Sequence, residues 1–148
     1  MRHELALFKT DAIVVPAGTT AEHAVELNVE QLYSITLAPQ ATVTFAQAPG
    51  ARRTVDAPQA GLLRFDVPRT AHYRVSADGP VWLDVMAGDK EIQSTAFNGH
   101  AHCTLIHKSV DLELPAGVHL VLQLSQSTRE VVRIAITPAP PADPPHER

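Results

Sequence analysis

The densest chemistry in the sequence is the run NGHAHCTLIHK, where His100, His102, Cys103 and His107 fall within eight positions. Imidazole nitrogen and thiolate sulfur are the donors zinc and copper prefer, which makes these four the candidate metal ligands. Their spacing sets a geometric condition. Side chains on a regular strand alternate between faces, so His100 and His102 share one face while Cys103 and His107 project from the other with Leu105. One ion can collect all four only across a bulge near Cys103, or the set is completed from another strand, with His72, His119 and Asp111 as candidates. The competing reading is structural, a small buried thiol among solvated imidazoles.

Asn98-Gly99, just upstream, is a strong two-residue turn signal, because a type I′ turn needs positive φ at both central positions. It predicts a hairpin pairing residues 95–97 with residues 100–102, with Phe97 opposite His100 and Thr95 opposite His102. That would present both histidines on one face near a loop tip.

Other reactive residues are sparser. Cys103 has His102 beside it and His107 four positions on, but a Cys–His pair works only when the two meet in space, and adjacent strand residues diverge. The chain has no Gly-x-Ser-x-Gly elbow, no Gly-rich phosphate loop and no His-Glu-x-x-His pair, so the expectation is a protein that is not an enzyme. Asp78 and Asp89 flank the run VWLDVMAG, and Asp84 lies within it. Calcium needs six to eight oxygens, and their spacing matches no calcium loop; Asp next to Gly is ordinary turn chemistry. Arg52-Arg53 reads as a solvated pair in a Pro/Gly loop. Trp82, the only tryptophan, alternates with Val81 and Leu83. It reads either as a flat stacking platform or as a ring packed beneath a loop or sheet edge.

The elements that would position these residues are strands. Val25, Leu27 and Val29, then Tyr33, Ile35 and Leu37, then Val81, Leu83 and Val85 recur with a period of two. So do Leu120, Leu122 and Leu124, and finally Val132, Ile134 and Ile136. Period two places one set of side chains on a core face. No window carries a capped helical stripe, and even the N-terminal Met1-Arg2-His3-Glu4 leads directly into strand-like sequence. Turn signals recur at short intervals, among them Pro16-Ala-Gly18, Pro49-Gly50, Gly88-Asp89 and Pro115-Ala-Gly117. The fold class expected is all-β, an antiparallel, jelly-roll-like β-sandwich of about eight strands. Its core comprises Leu27, Tyr33, Ile35, Phe65, Val75, Leu83, Val85, Leu112, Leu114, Leu120, Leu122, Ile134 and Ile136. Five of the twelve prolines follow Ile136, so one domain spans residues 1–137 and a flexible Pro-rich tail spans 138–148.

Two segments share a cadence of strand, proline turn, strand. Phe65-Asp-Val67-Pro68 leads into Tyr73, and Leu112-Glu-Leu114-Pro115 leads through Gly117 into Leu120. From Lys108 to Thr137 this cadence resembles the last half of bacterial secreted β-sandwich modules of the pre-peptidase C-terminal type. The matching positions are Leu114, Pro115, Gly117, Leu120 and Ile134, and residues 62–76 repeat the pattern. The resemblance covers about a third of the chain and consists mostly of turn grammar; Leu120 stands where such modules usually carry Tyr. It implies a non-catalytic accessory domain of an exported protein, periplasmic or secreted with its signal peptide removed. The start Met and the absence of a signal-like h-region fit a cytoplasmic protein equally.

Composition narrows the partners. A net charge of −4 lacks the cationic footprint that nucleic acid requires. No apolar run approaches the ~20 residues of a membrane span. The single Cys103 excludes an intramolecular disulfide. Two functional readings result. One is a binding or accessory sandwich that holds Zn or Cu through His100, His102, Cys103 and His107. The other is a structural or protein-interaction module with no metal.

Overall fold

Chain segments with alternating apolar residues pair edge to edge and bury one face. In the computed structural model, which describes residues 2–49, 55–99 and 105–139, they form two sheets packed face to face. A short helix α1 (Arg2–Leu7) precedes β1 (Ile13–Pro16), β2 (Val25–Leu27), β3 (Leu32–Thr36), β4 (Ala38–Pro39), β5 (Gln59–Phe65) and β6 (Ala71–Ala77). There follow β7 (Trp82–Ala87), β8 (Lys90–Ile92), β9 (Ser94–Gly99), β10 (Lys108–Leu114), β11 (Leu120–Ser127) and β12 (Val131–Pro138). One sheet has the order β1-β3-β12-β6-β10-β9, the other β2-β5-β11-β7-β8 with β4 also paired to β5. The fold is an all-β sandwich. Every residue expected in the core is buried between the two sheets.

Burial explains this outcome. β11 lies between β5 and β7 and sets Leu122 opposite Leu63 on one side and Val85 on the other. β6 lies between β12 and β10, with Val75 opposite Ile136 and Val110. Inward residues from both sheets meet in one aliphatic layer, the usual core of a sandwich. Two buried tyrosines keep their hydroxyls satisfied. The Tyr73 hydroxyl donates to the Arg69 carbonyl at 2.8 Å, and the Tyr33 hydroxyl accepts from the Asn28 N–H at 2.8 Å.

The two proline turns connect strands of opposite sheets and touch each other, the Ala116 N–H donating to Thr70 Oγ1 at 2.9 Å. Elsewhere Asp78 accepts from the Arg133 N–H and from Arg133 Nε, both at 2.8 Å, tying the β6–β7 turn to β12. The outer face of the β11 sheet is covered by the segment after β4. There Val43 is buried with Ala24, Ala60 and Leu62, and the Gln123 amide accepts from the Ala46 N–H and donates to the Gln47 carbonyl.

Several expectations are corrected. The described residues form twelve strands rather than about eight, and the sheets are mixed, since β1 runs parallel to β3 and β2 parallel to β5. The strands not expected, β1, β4 and β8, have two to four residues, too short for alternation to show in sequence. The N-terminus is helical instead of strand-like. Phe8, just after α1, is buried against Leu32, Ile106 and Ala135 on the outer face of the β12 sheet.

Asn98-Gly99 is not a tight turn, and residues 100–102 of the expected hairpin lie outside the described residues. Both residues belong to β9 and pair with Ser109 and Lys108 of β10. A partner carrying Val110, Leu112 and Leu114 on one face buries far more apolar surface than His-Ala-His, and burial decides register. β12 runs on to Pro138, and the Ala139 N–H donates to the His72 carbonyl at 2.9 Å; residues 140–148 of the expected tail lie outside the described residues.

Candidate functional site

The most constrained polar residues stand at one corner of the sandwich. β8 pairs with only the second half of β7, from Val85 to Ala87. After Ile92 the chain passes through Gln93 alone and joins the opposite sheet as β9. The switch carries an irregularity, because Asp111 pairs with Ala96 while Leu112 pairs with Ser94. Thr95 fills the extra position, its hydroxyl donating to the Asp111 carbonyl at 3.2 Å. Strands that change sheets bend at such bulges, and bulges re-aim nearby side chains. The first half of β7 is thereby left without a strand partner on this edge, and a cleft of about 160 Å³ opens between the sheets.

Its floor is aliphatic, built from Leu83, Val85, Ile92, Val110 and Leu112. Its rim is polar. Lys108 continues the inward series of Val110, Leu112 and Leu114, and is only 8% exposed. Its ammonium lies 5.3 Å from the centroid of the Trp82 ring, within cation–π range. The Trp82 indole N–H donates to Asp84 Oδ1 at 3.0 Å, and Asp84 is 7% exposed. Burial lowers the Lys108 pKa, and the Asp84 charge opposes that shift. Two opposite charges and one indole thus form a single interlocked wall.

Glu91 occupies the opposite lip and is half-buried. Its carboxyl is pushed above the ordinary carboxylate value, first by burial and then by repulsion from Asp84. Asp84 raises the Lys108 pKa against the effect of burial, so these two charges act on each other. Among the described residues, the Glu91 carboxylate takes part in no hydrogen bond or ion pair. The cleft therefore offers an aliphatic floor beneath a polar rim, with the Glu91 carboxylate at its mouth.

A second depression, of about 330 Å³, is lined by Glu22, Glu26, Arg64, Asp66 and His119 among others. Two of its polar groups have partners. Arg64 Nε donates to the Ala24 carbonyl at 3.1 Å, and the His119–Asp66 contact at 3.2 Å leaves the His119 side chain 92% exposed. It is larger and more open than the corner cleft.

The sequence-derived ligands are only partly within view. His100, His102 and Cys103 lie outside the described residues. His107 is exposed, and its backbone N–H donates to the Ala77 carbonyl at 2.7 Å. The residues named to complete the set are dispersed. Asp111 is held by Arg74 in a two-point contact at 2.7 and 2.9 Å, His72 faces Glu113 at 3.6 Å, and His119 faces Asp66. Among the described residues no three His, Cys, Asp or Glu side chains gather to hold a metal.

Sequence reasoning missed the corner itself. The sequence groups Asp84 with the turn aspartates, and Lys108 marks only the first residue of the segment with the proline-turn cadence. The available signal was parity: a lysine in register with three buried aliphatic residues, and an aspartate two positions from the lone tryptophan. The chain matches no protein-family model, no curated protein and no solved structure.

Proposed function

We propose that this chain is a non-catalytic binding module whose sandwich holds one small molecule in the corner cleft. One observation carries the reading: Lys108 and Asp84, each more than nine-tenths buried, border an aliphatic cavity instead of being replaced by apolar side chains. Burying opposite charges costs desolvation that well-packed hydrophobic residues would avoid. Apolar pockets with a few convergent polar groups of shifted pKa are where ligands bind. The reading includes an exported setting, periplasmic or secreted, in line with the turn grammar at Leu114, Pro115 and Gly117.

Trp82 supplies the test, because it is the only tryptophan and stands on the cleft wall. Compounds built on one six-membered ring are expected to change its emission saturably. Ile92→Phe, which fills the floor, should abolish the response while the melting transition is retained. Unchanged emission across the set, or the same response in the filled variant, would refute the assignment.

A second reading rests on the exposure of His107, whose ring is open to an ion. In it, His100, His102, Cys103 and His107 hold Zn or Cu. Tag-free protein should then contain stoichiometric metal that is lost on joint His100→Ala and His102→Ala substitution. Metal-free wild-type protein that also fails to take up added Zn²⁺ would dismiss it.

A further inference from the structure

We infer that the corner cleft selects a small primary ammonium compound with a compact apolar tail, the ammonium pairing with Glu91 and the tail lying on the aliphatic floor. This deepens the binding-module reading and rests on it. Size, shape and charge each restrict the ligand.

A dry cavity of roughly 150 Å³ accommodates a benzene ring. The cleft, at about 160 Å³, therefore takes one six-membered ring or a branched alkyl group of similar bulk. Its aliphatic floor of Leu83, Val85, Val110 and Leu112 favours an apolar body.

Charge selects the head group. Of the three ionisable residues on the rim, Lys108 and Asp84 act on each other, and Trp82 adds its N–H to Asp84 and its ring to Lys108. Glu91 remains. Asp84 repels it, and no described side chain bonds to it. A cation at the mouth of the cleft relieves that repulsion, whereas a second carboxylate adds to it. A neutral hydroxyl can hydrogen-bond to Glu91 but leaves the charge uncompensated. Gln93 and Ser94, also on the rim, offer acceptors for the remaining ammonium protons.

Benzylamine, benzyl alcohol and benzoate share one ring and differ in head group, so titration of each against Trp82 emission isolates the charge preference. Benzylamine is expected to bind about fivefold more tightly than benzyl alcohol, the scale of one partly screened ion pair, with benzoate weakest. Glu91→Gln should erase the difference between amine and alcohol, and Glu91→Asp should retain part of it. Adding 1 M NaCl should shrink it, since screening then acts within ~3 Å. Equal affinities for amine and alcohol in the wild type, or an unaltered preference in Glu91→Gln, would overturn the ammonium assignment while leaving the cleft as a binding site. If none of the three compounds perturbs Trp82, the binding-module reading falls with it.

Discussion

Leu122→Ala should lower stability by about 2–5 kcal/mol, the cost of deleting three buried carbons and leaving part of the space empty. Leu122 has no solvent exposure and lies in the middle strand of its sheet, opposite Leu63 and Val85. Neighbours on both sides are themselves held in ladders, so the site has little room to collapse, and the upper half of that range is expected. For a chain of this length each kcal/mol moves the melting midpoint by about 2–4 °C. Leu122→Val keeps most of the volume and should cost about 1 kcal/mol. A midpoint unmoved by Leu122→Ala would contradict the inward register of β11.

The second large effect belongs to the cleft wall. Lys108→Met keeps the aliphatic stem but removes the ammonium, taking the opposing charge away from an Asp84 carboxylate that is 7% exposed and accepts from the Trp82 N–H. Breaking a buried charge pair typically costs about 3–5 kcal/mol, and the adjoining cleft places this corner near the lower figure. Asp84→Asn alone removes the opposing charge that acts on Lys108 and is also destabilising. The double variant Lys108→Met/Asp84→Asn removes both charges and keeps an acceptor for the indole, so it should lie within about 1 kcal/mol of the wild type. The coupling read from this double-mutant cycle measures the interaction directly. Additive losses would mean that the two charges do not act on each other.

The core was legible in the sequence because a period of two leaves little freedom. Once Leu120, Leu122 and Leu124 share a face, so do Leu83 and Val85 opposite them, and all are buried. What lay beyond reach was set by contacts distant along the chain. Ile13–Pro16 shows no alternation, and it becomes a strand because β3 offers it a free edge. Asn98-Gly99 has the local chemistry of a tight turn, but the ladder formed with β10 outweighs that preference. The corner cleft is the extreme case. Trp82 and Asp84 belong to one sheet and Lys108 to the other, and only the single-residue crossing at Gln93 shapes the opening beside them. The histidine run drew attention because it is contiguous, whereas the buried charges are separated in sequence and joined by topology.

The most direct measurement of the central claim is a set of intermolecular nuclear Overhauser effects between bound benzylamine and methyl-labelled protein. Cross-peaks from the ring protons to methyl groups of Leu83, Ile92, Val110 and Leu112, together with a shift of the Trp82 indole N–H resonance, are the predicted result. Cross-peaks confined to residues around Glu22 and His119, or none at saturating ligand, would contradict the assignment of the corner cleft as the binding site.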